Sequence, residues 1–127
     1  MPGGEAFTAS ERHEIDKAIR DAETVCRYEF SVFIGAAEGD SRQFTVRLHS
    51  ALAAPDHSVL VMVDPSARIV EIVTGVEARR DLDDAEVKLA ALSMQTAFAA
   101  GDLVGGVKQG VLMLADHARR PRMLHAD

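Results

Sequence analysis

The sequence predicts an α/β fold, a three-layer α/β/α sandwich around a small mixed sheet with two parallel strands and an antiparallel hairpin return. Three observations predict it. Val59-Leu60-Val61-Met62-Val63 is apolar at every position, the pattern of a strand covered on both faces. Asp64-Pro65-Ser66-Ala67 follows as a tight turn, Asp at its first position and Pro at its second, and Ile69–Val73 returns antiparallel behind it. Apolar residues at helical spacing flank this pair on both sides.

The elements follow in order. Thr8-Ala9-Ser10-Glu11 is a capping box, a hydroxyl at the cap and Glu three residues on. Ile15, Ala18, Ile19, Ala22 and Val25 then make the stripe of a helix over 9–25. Tyr28–Ile34 alternates as a strand, with Tyr28, Phe30, Val32 and Ile34 on one face and Glu29, Ser31 and Phe33 on the other. Gly35 ends it, and 36–40 is a loop. Asp40 caps a second helix whose stripe is Phe44, Leu48, Ala51 and Leu52, and Pro55 stops it. The first strand, this helix and the apolar strand form a βαβ unit, which makes the two strands parallel with a right-handed crossover. Residues 76–82 form a short helical turn. Asp83 or Asp84 caps a third main helix, running to about Ala100, with Val87, Ala91, Met94 and Phe98 inward. Gly101 closes that helix and Asp102 opens the last one, 102–118, with Val104, Val107, Val111 and Leu114 inward. The whole chain, 1–127, reads as one domain with flexible ends at 1–7 and 120–127.

Composition narrows the function classes. A chain of 127 residues is one domain of ordinary size and buries roughly 65–70% of its unfolded surface. Five Phe, one Tyr and no Trp leave an aliphatic core. A net charge of −6 argues against a nucleic-acid partner, whose phosphates need a basic patch. The opening MPGGEAFTASER has no basic region followed by an apolar run, so no signal peptide is expected. The longest uncharged apolar stretch, Leu89–Ala100, is far shorter than the ~20 residues of a membrane span. A soluble, cytoplasmic protein is the expectation. Cys26 is the single cysteine. It falls at a helix end and reads as a small buried apolar residue.

No motif of specific chemistry stands out. GDLVGGVKQG carries four glycines, but matches neither the phosphate-loop nor the dinucleotide spacing. Gly106 and Gly110, four apart, instead leave one helix face smooth for close packing. Asp81, Asp83, Asp84 and Glu86 are carboxylates of the type that holds Ca²⁺ or Mg²⁺, yet acids at a helix start are already accounted for by capping and the helix dipole. The five histidines show no metal spacing within one element, and no nucleophile motif such as GxSxG occurs. Ligands of α/β sheets favour the carboxyl ends of parallel strands. Here those are the loops Gly35–Arg42 and Asp64–Arg68, with Asp40, Arg42, Asp64 and Arg68 as binding-loop candidates.

VLVMVDPSARIVEIVTGVEARRDLDD, followed by FAAGDLVGGVKQGVLMLADHA, resembles the core of the TPM domain. That family includes thylakoid-lumen acid phosphatases, photosystem II repair proteins and modulators of acetylcholine receptors. The segments GEAFT, EFSVFIG, GDSR, SVLVMVDP and FAAGDLVGG resemble more closely a short actinobacterial family of unknown function related to it. The resemblance covers nearly the whole chain and implies an α/β/α sandwich. Phosphatase and Ca²⁺-binding members of the broad family would imply a metal site at Glu77, Asp83, Asp84 and Asp102. Its accessory members imply a domain that acts through a protein partner. The expected function is a non-catalytic accessory or protein-interaction module without a cofactor, membrane or nucleic acid. The alternative is a weak divalent-metal-dependent phosphatase using Ca²⁺ or Mg²⁺.

Overall fold

The computed structural model describes residues 8–119; the ends expected to be flexible, 1–7 and 120–127, lie outside the described residues. Helix α1 (Ala9–Val25) starts where the sequence says it should, because both halves of the Thr8–Glu11 capping box form. Asp40 caps α2 (Ser41–Ser50) by accepting from the Gln43 amide at 2.8 Å. Asp83, not Asp84, caps α3 (Asp84–Ala99), with Glu86 closing a second capping box. Asp102 caps α4 (Leu103–Ala118) through the Gly105 amide at 2.9 Å. Each cap satisfies a backbone donor that the helix itself leaves orphaned.

The sheet has the order β1-β2-β3, built from Glu29–Ile34, Ser58–Asp64 and Ile69–Thr74. β1 runs parallel to β2, with Phe30 beside Val59 and Ile34 beside Val63. β3 runs antiparallel, with Ile72 beside Val61 and Ile69 beside Asp64. Strand β1 starts at Glu29, one residue later than the alternation suggested. Tyr28 is buried just outside it, and its hydroxyl is taken up by the 77–81 segment.

Every residue of β2 is buried, as its unbroken apolar run requires. Val59, Val61 and Val63 face α1, α3 and α4 in the main core, together with Phe30, Ile72, Met94, Val107, Val111 and Leu114. Burial of each such side chain contributes about 1.5–3 kcal/mol. Helix α2 alone covers the opposite face, completing three layers. The expected stripe of α2 is displaced. Phe44, Leu48 and Leu52 are half-buried and Ala51 is exposed, while Thr45 and His49 are the residues that go inside. Burial of these polar side chains is tolerable because both are bonded. The Thr45 hydroxyl donates to the Ser41 carbonyl at 2.7 Å, and His49 Nε2 bonds the Ser58 carbonyl at 3.0 Å. Among the described residues no helix is long and apolar enough to cross a membrane.

Helix α4 lies between α1 and α3, and its glycines set how closely α3 approaches. A Cβ on Gly110 would sit 2.4 Å from Met94 Cε, and one on Gly106 would sit 2.8 Å from Ala97 Cβ and 2.7 Å from Phe98 Cε1. The smooth face read from the sequence is therefore an internal helix–helix contact. Ala97 Cβ is fixed to its backbone and cannot rotate away. Gly106→Val is expected to lower unfolding free energy by about 2 kcal/mol, the usual cost of overpacking, outweighing the few tenths that Val gains over Gly in helix propensity. Urea denaturation followed by circular dichroism measures it, and an unchanged midpoint contradicts the tight contact.

Candidate functional site

At the amino edge of β1 and β2 the chain forms a cleft of about 760 Å³, within the size range of small-ligand sites. Its walls come from segments far apart in sequence. The C-terminal end of α1 supplies Cys26, the link to β1 supplies Arg27 and Tyr28, and the 3-10 turn Pro55–His57 supplies His57. The segment after β3 supplies Glu77, Arg80 and Asp81, and the exit of α4 supplies Arg119.

Glycine at 75 makes this assembly possible. A Cβ there would lie 2.0 Å from the Pro55 carbonyl oxygen and 2.4 Å from that of Asp56, so only Gly lets the two segments touch. Gly75 N–H donates to the Ser58 carbonyl at 2.9 Å and Glu77 N–H to the Asp56 carbonyl at 2.9 Å. The Glu77 carboxylate is thereby brought to His57, with Oε1 2.9 Å from Nδ1. A carboxylate only accepts, so Nδ1 carries the proton. The Tyr28 ring lies against the imidazole at 4.9 Å between centroids. The Tyr28 hydroxyl donates to the Asp81 carboxylate, and the Glu77 carbonyl lies 3.2 Å away as a second acceptor. Both carboxylates of the cleft are thus engaged by neighbouring side chains. Arg27 and Arg80 are exposed on the rim, and neither forms an ion pair among the described residues.

Cys26 closes the floor of the cleft and is 6% exposed. Burial pushes its thiol above the ordinary value of 9.0, the Glu23 and Asp81 carboxylates push the same way, and a hydrogen bond with the Tyr28 backbone opposes them. At neutral pH Cys26 is a neutral thiol, which nucleophilic chemistry does not favour.

The sequence-predicted candidates are dispersed. Asp40 caps α2. The Arg42 guanidinium donates to the Ile72 carbonyl at 2.7 Å and lies 3.4 Å from Glu71, fastening α2 to β3. Asp64 is buried and accepts from the amides of Ala37 and Ala67 at 3.0 and 3.2 Å, tying the β1–α2 loop to the hairpin. Arg68 ends the hairpin loop with a positive φ of 58°. Of the metal candidates, Glu77 is in the cleft, Asp83 caps α3, Asp84 is exposed in its first turn, and Asp102 caps α4. The 16 residues of α3 hold the Asp83 and Asp102 ends about 24 Å apart at 1.5 Å per residue, so these four side chains do not meet at one point. Among the described residues no three or more His, Cys, Asp or Glu side chains form a group suited to a metal ion. In the sequence Asp81 stands out only as part of the 81–86 acidic cluster, and nothing links it to Tyr28 or His57. No local pattern marks them, since Tyr28 and Asp81 meet across 53 positions of chain.

Two outcomes follow from this geometry. Tyr28→Phe removes the donor from a half-buried carboxylate, and stability is expected to fall by about 2 kcal/mol in chemical denaturation; a change under about 0.5 kcal/mol would mean the contact contributes little. Cys26 is expected to react with a disulfide reagent at least about tenfold slower in the folded than in the unfolded chain. Its raised folded-state value also has a definite sign. The protonated thiol favours folding below pH 9.0, and that contribution is lost as pH rises past it through the folded-state value.

Known proteins share this architecture. The chain superposes on the NMR structure of the BA42 protein from the psychrophilic bacterium Bizionia argentinensis with a TM-score of 0.78 at 20% identity, covering 88% of this chain and 81% of that one. It matches the N-terminal domain of the cg2496 protein from Corynebacterium glutamicum with a TM-score of 0.73 at 16% identity, over 95% of this chain and 84% of that domain. These likenesses establish the fold. In sequence it is 23% identical over 109 residues to the uncharacterised proteins MT2543 and Rv2468c of two Mycobacterium tuberculosis strains, CDC 1551 / Oshkosh and ATCC 25618 / H37Rv. That alignment covers 86% of this chain and 65% of the mycobacterial ones. The mycobacterial source accords with the expected actinobacterial family of unknown function. The family described as "Domain of unknown function (DUF5130)" matches residues 2–115, nearly all of the chain, and the chain belongs to that family.

Proposed function

We propose that the chain is a non-catalytic recognition module whose amino-edge cleft receives an acidic segment of a partner protein. One observation carries the reading. The cleft places Arg27, Arg80 and Arg119 on its rim while its own carboxylates, Glu77 and Asp81, are engaged by His57 and Tyr28. Arg27 and Arg80 form no ion pair among the described residues, and Arg119 is paired with the exposed Asp116 at 3.7 Å, so the rim of an otherwise acidic protein carries a local positive field, which favours an anionic ligand. The three arginines come from three separate segments, so an extended ligand meets more of them than a single small anion does. The sole thiol in the cleft is held protonated, which suits binding better than covalent chemistry. The resemblance to the TPM domain, some of whose members act as accessory factors, supports the same role. The dispersal of Glu77, Asp83, Asp84 and Asp102 leaves the metal-assisted phosphatase without a geometry to support it.

The test uses a fluorescein-labelled octaglutamate peptide and fluorescence anisotropy. Binding is expected to weaken about tenfold or more in the Arg27→Glu/Arg80→Glu double variant and to weaken steeply with added salt. The thermal midpoint of that variant is expected to stay near that of the parent, because both side chains are exposed. Equal affinity in the double variant overturns the site. Turnover of p-nitrophenyl phosphate with Mg²⁺ or Ca²⁺ that is lost in Arg80→Glu overturns the non-catalytic reading.

A further inference from the structure

A second cleft opens at the opposite edge of the sheet. We propose that it binds a small apolar carboxylate, with Arg68 as the counter-ion. The cleft holds about 390 Å³, room for a ligand of modest size. It lies between the β2–β3 hairpin loop and the corner joining α3 to α4. Its apolar surface comes from Pro65, Phe98, Ala99 and Leu103, and its polar groups include Arg68 and Gln95. Phe98 and Leu103 are packed against the main core on one side and are half-exposed to the cleft on the other.

Both walls are tight, defined turns. On one side Arg68 N–H donates to the Pro65 carbonyl at 3.3 Å and Arg68 holds a left-handed backbone at φ 58°. A non-glycine residue in that region is uncommon, and it persists only where its surroundings dictate it. On the other side Gly101 takes φ 86°, and Asp102 N–H donates to the Ala97 carbonyl at 2.9 Å. The missing Cβ of Gly106 leaves the space that the Phe98 ring edge occupies, which seats that ring at the cleft wall. A preformed apolar site loses less ordering entropy on binding than a mobile one.

Charge selects the ligand class. Arg68 is the one cation and Asp64 the one anion among the lining residues. Both oxygens of Asp64 are occupied, by the amides of Ala37 and Ala67. Asp64 therefore holds the loops together, and Arg68, exposed on its turn, is left to meet an incoming group. A guanidinium pairs with a planar carboxylate in a two-pronged arrangement, and Gln95 adds a neutral donor. One cation above an apolar floor fits an apolar monoanion better than a polyanion or a neutral hydrocarbon. The position, at the carboxyl end of a parallel strand, is also where open α/β sheets bind ligands. This inference is independent of the amino-edge cleft and does not use its residues.

The test is a titration with 3-phenylpropionate followed by ¹H–¹⁵N NMR, with 3-phenylpropanamide as the neutral counterpart. Saturable shifts are expected at the amides of Arg68, Gln95, Gly101 and Leu103, with affinity about tenfold weaker for the amide and for Arg68→Gln. The acid–amide comparison needs no variant, so a folding defect in Arg68→Gln cannot mask the answer. The proposal is overturned by equal affinity for acid and amide, by shifts centred on Arg27 and Arg80, or by no saturable shift up to about 10 mM.

Discussion

Everything in this fold depends on one strand having no side exposed to water. β2 is paired along both edges, by β1 and β3, and covered on both faces, by α2 on one and α1, α3 and α4 on the other. Five consecutive apolar residues need such a place. Since β2 is hydrogen-bonded on both sides, its position fixes the register of both neighbours. A slip of one residue would turn Val59, Val61 and Val63 away from the main core and bring Leu60 and Met62 into it. The remaining elements are arranged to surround this strand, and both clefts lie at its ends, the first beside Ser58 and the second at Asp64.

Elements were readable from sequence where the information is local. The four helix starts follow from Thr8, Asp40, Asp83 and Asp102, each of which bonds an amide within three residues of itself. The hairpin follows from Asp64-Pro65 and the β-rich runs beside it. The inward faces were less local: Val25, read into the stripe of α1, is 40% exposed, and helix α2 departs further. Its apolar residues suggested one face, whereas Thr45 and His49 go inside because a carbonyl partner for each is present there. For His49 that partner is Ser58, on another element, and hydropathy alone carries no record of it.

The clefts were less legible, for a related reason. Acidic residues drew attention because carboxylates hold metals, yet three of the four metal candidates lie at helix starts that the α3 rod keeps apart. The residues that do converge, Tyr28, His57, Glu77 and Asp81, come from links between elements and are joined by a glycine contact at position 75 that only the folded chain discloses. At the carboxyl edge the βαβ topology pointed to the end of the strand where a cleft lined by Asp64 and Arg68 is found. It could not say that Asp64 would be consumed by backbone amides or that Asp40 and Arg42 would be structural.

The contact of Arg42 with the Ile72 carbonyl has a counterpart across the sheet, where the Glu23 carboxylate accepts from the Phe30 amide at 3.0 Å. β1 and β3 are the two outer strands, and outer strands are where stray polypeptide adds on by main-chain pairing. Each border thus has a charged side chain plugged into a peptide group. A three-stranded sheet is small enough that one recruited strand would change its character. These two plugs oppose strand addition at both borders and give the domain a built-in resistance to self-templated growth.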